Sequence, residues 1–181
     1  MATIVVLGTF DTKGREHAFL ADRIRELGHE PLLVDGGGFD APAIPADVTR
    51  EQVAAEGGLD LAGLRAGADR GAMGGTAIGT AAMRALPLGV PKVMVSTLAS
   101  GNVAPYVDVS DIVMIPAVSD VAGINAFTRG QFTRAAATVC ALVDTAARLA
   151  READTRAKPL VVASMFGNTT PCVERARGLL E

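Results

Sequence analysis

The sequence is poor in aromatic residues and cysteines, and it has neither a surplus of basic residues nor a long apolar run. Its 181 residues include no Trp, one Tyr and six Phe, which argues against a stacking platform for single-stranded nucleic acid. The formal net charge of −3 gives no attraction to DNA or RNA. No secretory or membrane-spanning pattern is present. We therefore expect a soluble, cytoplasmic protein without nucleic-acid or membrane partners.

The two cysteines have no spacing partners, so the sequence predicts neither a disulfide framework nor a metal site. Cys140 lies in an alanine-rich segment with helical periodicity, and we expect it to be a small core residue. The two histidines, His17 and His29, are expected at the surface of the first predicted helix and just after it. No nucleophile, general base or Ser-His-Asp order stands out, so no catalytic residue is predicted.

Short apolar runs alternate with helical patterns along the chain. The runs at 3–8 and 31–35 flank a helix, and a long helix is predicted at about 126–153. Further strands are predicted at 91–97, 110–116 and 158–166, and a short helix with Asp47 or Thr49 as its N-cap. This alternation predicts an α/β fold with a Rossmann-like open, mainly parallel sheet and helices on both faces.

In such sheets, ligands bind beside the carboxyl ends of the strands, so the loops there are the candidate site. The first loop, "GTFDTKG" at 8–14, combines a flexible glycine, oxygen-bearing side chains and a cation where a helix begins, a position that attracts phosphate. Alternatively, Asp11 or Thr12 caps the helix and Lys13 is solvated. The candidate nucleotide-binding residues in this loop are Gly8, Thr9, Asp11, Thr12 and Lys13.

Three further loops follow this pattern. Asp35 ends the second strand, where an acid can accept hydrogen bonds from ribose hydroxyls or simply form a turn. "GGTAIGT" at 74–80 is typical of an anion loop or of a glycine-rich helix start packed on a strand, and "STLASGN" at 96–102 supplies hydroxyl groups. Loops 8–14, 74–80 and 96–102 are expected to converge at one edge. The candidates here are Gly74, Gly75, Thr76, Gly79, Thr80, Ser96, Thr97, Ser100 and Gly101.

Downstream, Arg129 can bind an acid or phosphate bidentately. The alternative, an ion pair with Asp120 inside the chain, is favoured.

Three segments together resemble the Tm-1-like (UPF0261) family: "GTFDTKGREHAFLADRIRELG", "GGTAIGTAAMRALPLGVPKVMVSTLASGNVAPYVDVSDIVMIPAVSDVAGIN" and "MFGNTTPCV". The resemblance covers most of the chain apart from about 39–68. It implies two consecutive Rossmann-like domains, the first binding ATP, alone or with Mg²⁺. We thus predict a nucleotide-binding domain at 1–155 and the start of a second domain at 156–181. The family's plant namesake, a resistance protein, acts by binding a viral replication protein.

The chain departs from this family between Arg70 and Gly74, where a helix and an apolar strand are expected but absent. A sheet without that step exposes an unpaired edge, so we expect a homo-oligomer. Three functions remain open at this point. They are an ATP-binding domain, an enzyme domain that holds a phosphorylated or carboxylated small molecule, and a non-catalytic interaction module.

Overall fold

The computed structural model describes residues 1–58, 75–120, 122–152 and 167–180. The backbone divides into two units, Met1–Leu149 and Ala150–Glu181. The strands are β1 (Thr3–Gly8), β2 (Glu30–Asp35), β3 (Val93–Ser96) and β4 (Val113–Pro116). The helices are α1 (Phe10–Glu26), α2 (Arg50–Glu56), α3 (Gly75–Arg84), α4 (Ala104–Val107), α5 (Ala126–Glu152) and α6 (Thr170–Leu180), with a 3₁₀ turn at Thr97–Ser100. No helix in these ranges is both long and apolar enough to cross a membrane.

The strands form two parallel pairs, β1 with β2 and β3 with β4. The α/β class and the first four predicted strands are therefore confirmed, although β3 and β4 are shorter than the sequence predicts. The predicted strand at 158–166 lies outside the described residues. Gly8 is opposite Asp35 at the carboxyl end of the first pair, and Ser96 is opposite Pro116 at the end of the second. Within each pair, both strands therefore end at the same edge, where the predicted loop residues begin.

The core of the first pair lies on one face of β1. Ile4 and Val6 are buried there with Ile24 of α1 and with Ala136 and Cys140 of α5. Two-residue periodicity on the strand and helical periodicity on α1 and α5 place these side chains together. The prediction that Cys140 is a core residue is confirmed.

Local signals fix several helix ends as the sequence predicts. Thr49 is the N-cap of α2, and its hydroxyl accepts from the Gln52 N–H while the Gln52 side chain accepts from the Thr49 N–H. This reciprocal pair is a capping box. Gly28, just after α1, has φ +85°, a conformation that glycine adopts without the Cβ strain of other residues.

The prediction of two surface histidines is wrong. His29 is only 5% exposed, and its Nε2 lies 3.5 Å from Asp144 Oδ1 on α5. His17 is half-buried, its ring lies 5.3 Å from that of Phe10, and its Nδ1 is 2.7 Å from the Lys13 carbonyl oxygen. Burial lowers the pKa of His17, so the neutral ring prevails at pH 7.

Candidate functional site

Asp35 forms the link between the end of β2 and the start of α1. Asp35 is 1% exposed, and its carboxylate accepts hydrogen bonds from the Phe10 N–H at 3.0 Å and the Gly37 N–H at 2.8 Å. Arg50 Nε lies 3.1 Å from its other oxygen. The amino end of a helix favours a negative charge, and here the chain supplies that charge itself.

Asp11 joins Asp35 in a buried ionic cluster around Arg50. Asp11 Oδ2 accepts from the Phe39 N–H at 3.0 Å and lies 3.9 Å from Arg50 Nη1. The Asp11 and Arg50 side chains are 2% and 5% exposed. Asp11 Oδ1 and Arg50 Nη1 have no hydrogen-bond partner among the described residues. Two buried carboxylates therefore share one guanidinium.

Arg50 is not among the residues predicted from the sequence, although it follows the Thr49 cap directly. A basic residue in the first turn of a helix, where acids are preferred, is the signal that could have identified it. A cavity of about 310 Å³ opens beside the cluster. Its lining includes Asp35, Phe39, Asp40 and Arg50.

Lys13 connects the loop after β1 with the loop after β4. Its ammonium nitrogen lies 3.2 Å from Asp120 Oδ1. Lys13 itself interrupts α1 with φ −129° and ψ 24°, so the first turn of the helix is set off from the rest. The predicted partnership of Arg129 with Asp120 is wrong. Lys13 takes that carboxylate, and the Arg129 guanidinium lies 5.3 Å from the centre of the Phe19 ring.

The loop after β4 is also held at its far end. The Gly123 N–H donates to Glu16 Oε1 of α1, a buried carboxylate. The Asn125 side chain then accepts from the Phe127 and Thr128 N–H groups at the start of α5. Two contacts to α1, by Asp120 and by Gly123, therefore place this loop beside the amino end of α1.

In the first loop, Gly8 lies against His17. A Cβ on Gly8 would come within 1.8 Å of His17 Nε2, so only glycine fits under this ring. Thr9 and Thr12 place their hydroxyl oxygens 2.8 Å apart at an exposed position. The N–H groups of Thr12 and Lys13 donate to the Thr9 carbonyl. Several backbone N–H groups of this predicted anion-binding loop are therefore already hydrogen-bonded within the chain.

The glycine loop at 74–80 is mostly helix. Gly74 lies outside the described residues, and Gly75 and Thr76 begin α3. A Cβ on Gly79 would lie 2.4 Å from Met94 Cε of β3, and Thr80 is buried. A Cβ on Gly36, just after β2, would lie 3.4 Å from Ile78 Cγ2. Helix α3 thus packs beside both strand pairs.

The hydroxyl loop after β3 divides into a buried and an exposed part. Ser96 is buried, and its hydroxyl accepts from the Leu98 N–H at 3.1 Å. Thr97, Ser100 and Gly101 are exposed in and after the 3₁₀ turn. The hydrogen bonds and ion pairs of Asp11, Asp35, Lys13 and Gly123 bring the loops after β1, β2 and β4 together, whereas the convergence of loop 96–102 with them stays a prediction. Among the residues the structure describes, no cluster of three or more His, Cys, Asp or Glu could hold a metal.

Comparison with known proteins identifies relatives of this chain. The chain matches the family described as "Uncharacterised protein family (UPF0261) N-terminal domain" over residues 2–74 and 70–148. It is 42% identical to the UPF0261 protein RA0729 of Rhizobium meliloti and 45% identical to the UPF0261 protein mlr3387 of Mesorhizobium japonicum, each over 96% of this chain. It is 39% identical to the ToMV resistance protein Tm-1(GCR237) of Solanum lycopersicum over 59% of this chain and 14% of that protein.

The lengths of these matches bear on the predicted departure from the family. The chain spans about half the length of the curated relatives, with 49% of each bacterial protein covered. The two matched family segments overlap at residues 70–74. The alignments run over 200 and 202 residues although this chain has 181. Relatives therefore contain positions without a counterpart here, in agreement with a missing step near Arg70.

Proposed function

We propose that this chain, which belongs to the UPF0261 family, binds ATP at the carboxyl ends of the strands of a Rossmann-like sheet. The observation that carries the proposal is the position of Lys13. Its ammonium group is joined to Asp120, so one cation lies where the loops after β1 and β4 meet. The carboxyl ends of parallel strands are where α/β proteins bind nucleotides. The family resemblance implies ATP in particular.

Within this proposal, Lys13 rather than the amides of α1 binds the phosphate groups, and the hydrogen bonds of the first turn support this choice. The Phe10 N–H donates to Asp35, and the Thr12 and Lys13 N–H groups donate to the Thr9 carbonyl. These three N–H groups are therefore already bonded, which favours side-chain donors as the partners of an anion. Lys13 supplies a point charge with three donors, and the exposed hydroxyls of Thr9 and Thr12 supply further donors nearby. Phosphate oxygens of ATP would carry any accompanying Mg²⁺.

Replacing Lys13 by alanine is expected to weaken ATP binding by about tenfold or more, because a charge-assisted contact to phosphate is lost. Calorimetric titration measures the dissociation constant directly. The matched control is Arg15→Ala, which removes the same charge from an exposed position two residues further along α1 and should leave the affinity near wild type. Gly75→Val at the start of α3 tests the second loop independently.

The outcome also separates the competing functions. Equal ATP affinity in Lys13→Ala and wild type would contradict the proposed site. Binding of inorganic phosphate or a small carboxylate in place of ATP would favour an enzyme domain for a phosphorylated or carboxylated metabolite. If the folded chain binds none of these, the interaction-module function is favoured.

We propose in addition that the chain forms a homo-oligomer. Leu86, Leu88 and Val109 are exposed around a cavity of about 580 Å³ at the amino ends of β3 and β4. Exposed apolar side chains grouped around one cavity are typical of association sites. Sedimentation velocity at micromolar concentration should show a dimer or larger species that Val109→Asp weakens. Leu27→Asp, an exposed apolar residue at the end of α1, is the control, and a monomeric wild type would contradict the proposal.

A further inference from the structure

We infer that the Asp120 carboxylate competes with phosphate groups for the Lys13 ammonium. The carboxylate must leave Lys13 before a phosphate group can bind, so Asp120 lowers the affinity of the site for anions. The inference rests on the proposed function, because it assumes that Lys13 is the group that receives phosphate.

The geometry of the Lys13–Asp120 ion pair allows another anion to replace Asp120. Lys13 Nζ and Asp120 Oδ1 are 3.2 Å apart, with side chains that are 25% and 76% exposed. The residues are 107 positions apart in the sequence, so the fold of both loops brings them together. Because Asp120 is largely exposed, water and salt screen this ion pair and weaken it. An incoming phosphate therefore competes against a weak partner.

Asp120 can withdraw without disturbing the fold. The Gly123 N–H bond to Glu16 and the Asn125 cap of α5 hold the end of the loop independently of Asp120. The two residues before Asp120, Val118 and Ser119, are both exposed and therefore do little to hold Asp120 in place. Rotation of the Asp120 side chain toward solvent would release the Lys13 ammonium while the loop stays anchored.

The charges decide which anions can replace Asp120. A carboxylate ligand carries the same single charge and offers Lys13 no electrostatic advantage over the residue already there. A phosphate group at neutral pH carries more charge and three acceptor oxygens. Asp120 thus selects for phosphate-bearing ligands over monocarboxylates.

Asp120→Asn tests this role, because it removes the charge and keeps the size of the side chain. Calorimetry without Mg²⁺ should show a dissociation constant for ATP and for inorganic phosphate about three- to tenfold lower than that of wild type, given the weakness of exposed ion pairs. Asp22→Asn is the matched control, since Asp22 pairs with Arg25 on α1 at 2.9 Å and is also exposed. The double variant Lys13→Ala/Asp120→Asn should show no gain over Lys13→Ala.

The other results would overturn the inference in distinguishable ways. Wild-type binding of ATP with an unchanged or weaker affinity in Asp120→Asn would overturn it and leave the proposed function intact. A loss of affinity in Asp120→Asn that occurs only with Mg²⁺ would make Asp120 a metal ligand instead. If neither protein binds ATP or phosphate while both are folded, the proposed function fails and the inference fails with it.

Discussion

Replacing Arg50 by methionine should lower the free energy of unfolding by about 3–5 kcal/mol, the range for removing one partner of a buried ion pair. The substitution keeps much of the apolar stem but removes the only cation within 4 Å of Asp11 and Asp35 among the described residues. Both carboxylates would remain buried without a counter-charge. Urea denaturation followed by circular dichroism measures the loss.

Arg25→Met is the matched control for this prediction. Arg25 also pairs with an aspartate, Asp22 at 2.9 Å, but both side chains are largely exposed. Such pairs contribute about 1 kcal/mol at most. The double variant Asp35→Asn/Arg50→Met should be less destabilised than the sum of its single variants, because each removes part of the other's interaction. A loss below about 1 kcal/mol for Arg50→Met would show that the cluster does not stabilise the fold.

The elements that local sequence determines were predicted well. The apolar run of β1, the helical spacing on α1 and α5 and the Thr49 cap depend on neighbours a few residues away. Each of these patterns lies within one short segment of the sequence and can be recognised there. The predictions for β1, β2, α2 and α5 therefore agree with the structure to within a few residues. The run of β1 predicted a strand covered on both faces, whereas only Ile4 and Val6 are buried and Val5 between them is exposed.

The partners of the candidate site could not be predicted in the same way. Asp11 and Arg50 are 39 positions apart, and Lys13 and Asp120 are 107 positions apart. No periodic pattern relates such residues, because the pairing depends on how the loops pack after the strands have aligned. The sequence therefore identified Asp11, Asp35 and Lys13 as polar residues of one edge. It did not show which of them interact with each other.

These contacts divide the predicted site residues into two groups with different chemistry. Asp11, Asp35 and Ser96 are buried and bonded within the chain, so they hold the loops in place. Lys13 and the hydroxyls of Thr9 and Thr12 keep contact with solvent. A ligand can reach the second group without breaking the first. The residues that a ligand can contact are therefore fewer than the motifs indicate.

Gly8 provides the sharpest test of the division between structural and ligand-binding residues. Its contact with the His17 ring requires a glycine at this position whether or not a ligand binds. A Cβ there would lie 1.8 Å from His17 Nε2. We expect Gly8→Ala to lower the free energy of unfolding by about 1–3 kcal/mol, the usual range for overpacking. The His17 ring would have to leave Phe10 and the Lys13 carbonyl that Nδ1 now contacts.

The double variant Gly8→Ala/His17→Ala separates packing from ligand approach. Removing the imidazole makes room for the new methyl group, so the double variant should be less destabilised than the sum of the two single variants, as measured by urea denaturation. ATP affinity, titrated where each variant is fully folded, should stay near that of wild type. Additive losses of stability, together with weaker ATP binding in Gly8→Ala, would instead show that Gly8 is needed for close approach of the nucleotide to the backbone.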